Sequence, residues 1–230
     1  MNILPDEKCA FNLIYKFDRH YSINGRQVGD IRKNIAFHIA ENLKELGLSF
    51  DIVSPIPNTG FFYAEAVADY LNSELMVLFE KSTARRTLGK NKEDRILEYK
   101  NLLMHVDMAP KGASVLFIDE AMLSGLTVNI ISRACKENGI DNYSYAFASP
   151  ITRCQCPWGH IKNTERYFSD LTGRDQFDID YYRKALHRLK EETGAEDILF
   201  MPTSRFSSVI DTDATCTLCF FEDAYIDNTG

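Results

Sequence analysis

The stretch from Val115 to Thr127, VLFIDEAMLSGLT, constrains this chain more than any other. Four apolar residues, Val115, Leu116, Phe117 and Ile118, form a strand-like run, and two acids, Asp119 and Glu120, follow at once. Ser124, Gly125 and Thr127 come next, and Val128, Ile130 and Ile131 begin a helical pattern. The order is strand, acidic pair, small-residue loop, helix. In an open α/β fold such a loop lies at the carboxyl edge of a parallel sheet, where ligands bind. Main-chain N–H groups at the helix start suit a phosphate. The acidic pair suits adjacent sugar hydroxyls or a metal. An ordinary strand-to-helix turn is equally compatible with the stretch taken alone, because short phosphate motifs recur by chance.

The rest of the chain supplies matching elements. Val28, Ile31, Ile35, Ile39, Leu43 and Leu46 recur at helical spacing and stop at Gly47, which predicts a long amphipathic helix over 27–46. Residues 50–53, 75–79, 143–148 and 198–201 read as strands or short apolar pieces, and 62–71, 128–138 and 178–193 as helices. Residues 9–17 read as an edge strand, 22–25 as a turn, and 55–60 as the loop closing the strand at 50–53. Residues 81–95, KSTARRTLGKNKEDR, are charged and weakly periodic, as in a loop, a hairpin or a solvated surface excursion; the tail after residue 201 is polar. Alternating strands and helices predict a mostly parallel, twisted sheet flanked by helices.

Composition narrows the function. At 230 residues with 45% apolar content, the chain suits one α/β domain with additions. A formal net charge of −7 excludes general affinity for nucleic acid, which needs clustered Lys and Arg. No apolar run approaches the roughly 20 residues that span a bilayer, and MNILPDEKCAF has no signal-peptide pattern. A cytoplasmic protein is expected, with no membrane partner. Six cysteines in such a chain do not make a disulfide framework. Cys216 and Cys219 form a C-x-x-C pair that by itself suits a metal centre, a redox couple or half of a zinc site.

Taken together these motifs resemble those of type I phosphoribosyltransferases, and more narrowly the C-terminal domain of glutamine phosphoribosylpyrophosphate (PRPP) amidotransferases. IDEAMLSGLT resembles the family's PRPP loop, VDDSIVRGTT after its strand, and IPNTG at 56–60 its VPDSG-like pyrophosphate loop. ARRTL at 84–88 resembles the GRTF segment of its flexible catalytic loop. SPITRCQCPWG at 149–159, LKEETGAEDILFM at 189–201 and CTLCF at 216–220 resemble later segments. The resemblance runs from Cys9 to Tyr225. It implies a single phosphoribosyltransferase domain over 1–230, with a core of about 27–150, a flexible catalytic loop or hood, and a Cys-rich C-terminal extension. Residues 1–26 and 151–230 are then cluster-bearing additions.

The implied reaction is transfer of the 5-phosphoribosyl group of PRPP to ammonia or another amine, with release of pyrophosphate. Asp119 and Glu120 would bind the ribose hydroxyls and stabilise a cationic sugar. Ala121, Ser124, Gly125, Leu126 and Thr127 would form the 5-phosphate loop. Asn58, Thr59 and Gly60 would take the pyrophosphate, whose Mg²⁺ acts as Lewis acid. Lys81, Arg85 and Arg86 would close over it as catalytic cations, a solvated basic face being the other reading. Ala121 stands where the family has Ser, Ser124 where it has Arg, Leu126 where it has Thr, and Asn58 where it has Asp. These departures support an alternative, a non-catalytic PRPP- or nucleotide-binding sensor or partner subunit that keeps the fold.

Cys9, Cys156, Cys216 and Cys219 occupy the four ligand positions of that family's [4Fe–4S] branch, which implies a structural cluster, with Zn as the competing metal. Cys135 reads as a buried apolar residue, and Cys154 as a spare thiol or alternative ligand. The nucleophilic cysteine of the family's glutaminase domain has no counterpart in 1–8, so free ammonia, a separate glutaminase subunit or another amine is expected to supply the nitrogen. The family's assemblies imply a homo-oligomer.

Overall fold

The computed structural model of the chain describes residues 6–57, 59–81, 102–104, 109–152, 156, 167, 179–210 and 215–220. Five strands make one parallel sheet in the order β4–β3–β7–β8–β9: β3 is Ile52–Pro55, β4 Glu74–Leu75, β7 Val115–Asp119, β8 Tyr143–Phe147 and β9 Ile198–Phe200. In register, Val53 faces Leu116, Leu116 faces Ser144, and Ala146 faces Leu199. Two small antiparallel pairs stand apart from it. β1 (Ser22–Ile23) pairs with β2 (Arg26–Gln27), and β5 (Phe79–Lys81) with β6 (Leu102–Met104).

Strands β3, β7, β8 and β9 are buried on both faces, as their near-continuous apolar sequences require, and the edge strand β4 is exposed. Along β7 the side chains alternate. Leu116 and Ile118 join Val53, Ala146 and Leu199 in a core shared with α1 (Ala10–Tyr15), α2 (Val28–Glu45), α3 (Phe61–Leu71) and α6 (Thr203–Val209). Val115 and Phe117 turn the other way, against α4 (Leu126–Glu137) and α5 (Ile179–Thr193). This second core is aromatic: Phe117 lies 5.6 Å from Phe79 and 5.5 Å from Tyr145, and Phe147 5.1 Å from Phe200, between ring centres. Two of its buried tyrosines pair their hydroxyls within this core. Tyr145 shares a 2.8 Å hydrogen bond with Ser132 Oγ, and Tyr143 donates to Thr193 O at 2.6 Å.

The observed sheet matches the mostly parallel α/β arrangement expected from sequence, with three local corrections. Within 9–17, where the sequence predicts an edge strand, Ala10–Tyr15 form helix α1. Five of its six residues are buried, so neither helical nor strand periodicity is visible there. The apolar run at 75–79 is divided: Leu75 ends β4 of the main sheet, and Phe79 begins β5 of a separate pair. The tail read as polar contains α6, whose Phe206 is buried. Among the described residues no helix is long and apolar enough to cross a membrane.

Candidate active site at the carboxyl edge of the sheet

β3 and β7 are neighbours, but the chain leaves them in opposite directions. After β3 it crosses by α3 to β4 on one side, and after β7 by α4 to β8 on the other. Because α3 and α4 lie on opposite faces, the two loops part at the carboxyl edge and leave a crevice, the topological switch point where open α/β folds hold ligands.

The first wall of the crevice is the loop after β3. Ile56 N donates to Ile118 O at 2.8 Å, tying this loop to β7, and Gly60 N donates back to Ile56 O at 3.1 Å. Gly60 then caps α3, with Ala64 N donating to its carbonyl at 2.9 Å. A Cβ at Gly60 would land on the Ile118 carbonyl oxygen, and within 2.7 and 2.9 Å of Ile56 O and N. Its φ of −63° suits any residue, so the contact alone demands glycine. Thr59 beside it is half-buried.

The second wall is the loop after β7. Gly125, at φ +73°, is the cap of α4, and Asn129 N donates to its carbonyl at 2.9 Å. Glycine adopts that left-handed turn without strain, and the first amides of α4 follow it. Ala121, Ser124, Leu126 and Thr127 are half-buried along the same loop. Each wall thus ends in a helix N-terminus, whose first N–H groups carry partial positive charge.

The acids stand between the walls. Asp119 closes β7 and is half-buried; its Oδ1 accepts the Glu120 N–H at 2.9 Å, and its carbonyl accepts Ala148 N at 3.0 Å. Glu120 is only 7% exposed, and among the described residues its Oε2 has no hydrogen-bond partner. By strand alternation Glu120 shares the Leu116–Ile118 face, toward Tyr63 of α3. Burial raises the Tyr63 phenol well above its ordinary pKa; nearby Arg32 opposes that rise, and Glu120 and Asp119 add to it. A buried carboxylate oxygen without a donor costs about 1–3 kcal/mol, so the position suits a ligand hydroxyl or cation.

Of the other residues named from sequence, Lys81 ends β5, its main chain opposite Leu102. Asn58, Arg85 and Arg86 lie outside the described residues, as does Cys154. Sequence reasoning missed two neighbours of the acidic loop. Thr152 is buried; its Oγ1 donates to Met122 O at 3.1 Å and its backbone bridges Phe220. Tyr167 donates its N–H to Leu123 O at 2.8 Å. Both contacts are long-range, and no local pattern marks them.

Two of the cysteines meet through their backbones. Cys9 and Cys216 form a parallel β-bridge, with Ala10 N donating to Cys216 O at 3.1 Å and Cys216 N to Lys8 O at 2.6 Å. Cys9 and Cys219 are buried in the core of α1, α2, α3 and α6, and half-buried Cys156 packs against it. Burial pushes the Cys9 thiol up to about 11, against hydrogen bonds from Asn12 and Phe11, and the neighbouring Cys156 and Cys216 add to the rise. Three of the four thiols thus lie on one core and Cys216 is bridged to Cys9, and thiols are the donor chemistry of an iron–sulfur or zinc centre. As described, however, they are free thiols, and among the described residues no group of three or more His, Cys, Asp or Glu side chains is gathered closely enough to hold a metal ion.

A parallel sheet with a glycine-locked loop after β3 and an acidic-pair loop after β7 defines the type I phosphoribosyltransferase fold. Two solved structures share it over 94% of this chain: glutamine PRPP amidotransferase from B. subtilis complexed with ADP and GMP (TM-score 0.69, 18% identity, 46% of that chain), and a structure described as the allosteric regulatory enzyme of purine biosynthesis (TM-score 0.67, 17% identity, 45% of that chain). In sequence the chain is similar to amidophosphoribosyltransferases. It is 26% identical to that of Saccharomyces cerevisiae over 217 residues, and 24% identical to that of Lachancea kluyveri over 207 residues. These alignments cover 93% and 88% of this chain but only 40% and 38% of the relatives, so the chain spans about two-fifths of their length. No family model matches the chain.

Proposed function

We propose that this protein is a phosphoribosyltransferase that uses PRPP to place the 5-phosphoribosyl group on ammonia or another amine, releasing pyrophosphate. The observation that carries the reading is the pair of glycine-locked loops, each opening onto a helix N-terminus, with Asp119 and Glu120 between them at the switch point. The relatives named amidophosphoribosyltransferase support it.

In this reading Ser124, Gly125, Leu126 and Thr127 hold the 5-phosphate through main-chain N–H groups and the Thr127 hydroxyl. Asp119 and Glu120 take the ribose 2- and 3-hydroxyls, and a hydroxyl at Glu120 supplies the donor its Oε2 lacks. Asn58, Thr59 and Gly60 hold the pyrophosphate, with Lys81, Arg85 and Arg86 neutralising it from the charged segment. Mg²⁺ bound with PRPP would screen the leaving charge. As the bond from C1 to pyrophosphate breaks, its electrons leave with the pyrophosphate. The acidic pair stabilises the cationic sugar, the nitrogen lone pair forms the new bond, and the amine sheds a proton. Ammonia comes free or from a separate glutaminase subunit. The reading also includes a homo-oligomer in the cytoplasm, and a structural [4Fe–4S] cluster, or zinc, on Cys9, Cys156, Cys216 and Cys219.

Ala121, Leu126 and Asn58, the departures from the family's loops, favour a second reading, PRPP or nucleotide binding without turnover. The deciding assay follows pyrophosphate release from PRPP with Mg²⁺ and a series of amines beginning with ammonia. Release with formation of a ribosylated amine supports the transferase. Tight PRPP binding with no release for any amine supports the sensor.

A further inference from the structure

Tyr167 touches the phosphate loop twice. Its main-chain N–H donates to Leu123 O at 2.8 Å, and its ring carbon Cδ2 lies 3.2 Å from where a Cβ on Gly125 would stand. The far end of the ring is tethered to α5. The phenol donates to Glu192 Oε2 at 3.1 Å and accepts from Arg188 Nε at 3.4 Å, and the Arg188 guanidinium stands 5.4 Å from the ring centre. Leu189 of the same helix comes within 3.8 Å of that Gly125 point. The loop is therefore backed by α5 through two side chains, on the side where Gly125 has none.

This backing bears on the ligand. A main-chain phosphate site works only while its amides converge, and these amides follow a left-handed glycine, the residue with most freedom to leave that shape. With Leu126 offering no hydroxyl, the loop depends heavily on its backbone. We propose that Tyr167 is a positioning residue for the 5-phosphate: its ring and N–H hold Leu123 to Gly125 in the ligand-ready turn, and Arg188 and Glu192 fix the ring. The inference rests on the phosphoribosyl reading of the loop.

Calorimetric titration of the whole chain with two separate probes tests it. Ribose 5-phosphate uses the Gly125 loop, and magnesium pyrophosphate uses the Gly60 loop. Tyr167→Leu is expected to weaken ribose 5-phosphate by about 10- to 100-fold, the scale of a small misplacement at a binding site, and to leave pyrophosphate unchanged. Tyr167→Phe keeps the ring against Gly125 but loses the phenol's tethers, and should fall between Tyr167→Leu and wild type. Equal weakening of both probes, or no change in either, overturns the proposal. If Tyr167→Leu fails to melt cooperatively, Tyr167→Phe and Arg188→Met decide, and unaltered ribose 5-phosphate affinity in both overturns it. A wild-type chain that binds neither probe sinks the phosphoribosyl reading and this inference together. Wild-type binding with unaffected variants sinks only the role of Tyr167.

Discussion

At Gly60 the requirement for a bare Cα comes from contact, because the Ile118 carbonyl already occupies the space a methyl group would take. Neither backbone can yield without breaking the bond from Ile56 N to Ile118 O. Gly60→Ala is therefore expected to cost about 3 kcal/mol, the upper range for overpacking, read as a lower urea midpoint, and to abolish pyrophosphate binding. Asp119→Asn tests chemistry with little change in packing, since Asn retains an oxygen to accept the Glu120 N–H. It should lower turnover by roughly 100-fold or more with an unchanged melting temperature; full activity would remove the acid from the reaction. These residues were legible in the sequence because each loop is contiguous. The burial of Glu120 was only half legible. Alternation assigns it to the Leu116 face, but the depth of that face depends on α1 and Tyr63, which are distant in the chain.

Elements are held by side chains that no local reading finds. Helix α1 is six residues long, and carbonyls at its end are met from elsewhere: Arg32 donates to Leu13 O and, just past the helix, to Phe17 O, both at 2.8 Å, and Tyr63 to Ile14 O at 2.9 Å. An apolar hexamer that borrows its caps in this way looks like a strand in isolation. The long helices at 28–45 and 179–193 carry their own periodicity and stop at glycines, so they were legible almost to the residue. Two predictions belong at this scale. Thr152→Val, which leaves the Met122 carbonyl without its donor, should destabilise the protein by about 1–3 kcal/mol in chemical denaturation, and Thr152→Ser should restore most of that loss. At the opposite edge of the sheet, Asp51 Oδ2 accepts from Ser114 N and Oγ, both at 2.8 Å, and these bonds lower its pKa below the ordinary 3.8. A lowered folded-state pKa contributes stability above the unfolded value, and that contribution disappears as pH falls through the folded one. Stability measured from neutral pH down through the region below 3.8 should therefore fall more steeply in wild type than in Asp51→Asn.

At the scale of the whole molecule, the two ends of the described chain meet. Cys9 bridges Cys216, Phe220 bridges Thr152, and Thr152 holds the loop that follows the acidic pair. The proposed cluster would tie these strands at one point. Protein purified without oxygen should then be brown and carry iron, and Cys216→Ser should lose both iron and colour while melting at lower temperature. A colourless protein with stoichiometric zinc would assign the thiols to zinc.

The bridge between Cys9 and Cys216 also sets an order of events during synthesis. The first turn of α1 leaves the ribosome early, but the segment that completes its surroundings is among the last described residues made. At translation rates of about 5–20 residues per second, the gap is roughly 10–40 s. Throughout that interval the core that Phe11, Leu13 and Ile14 share with Cys219 and Phe220 is incomplete.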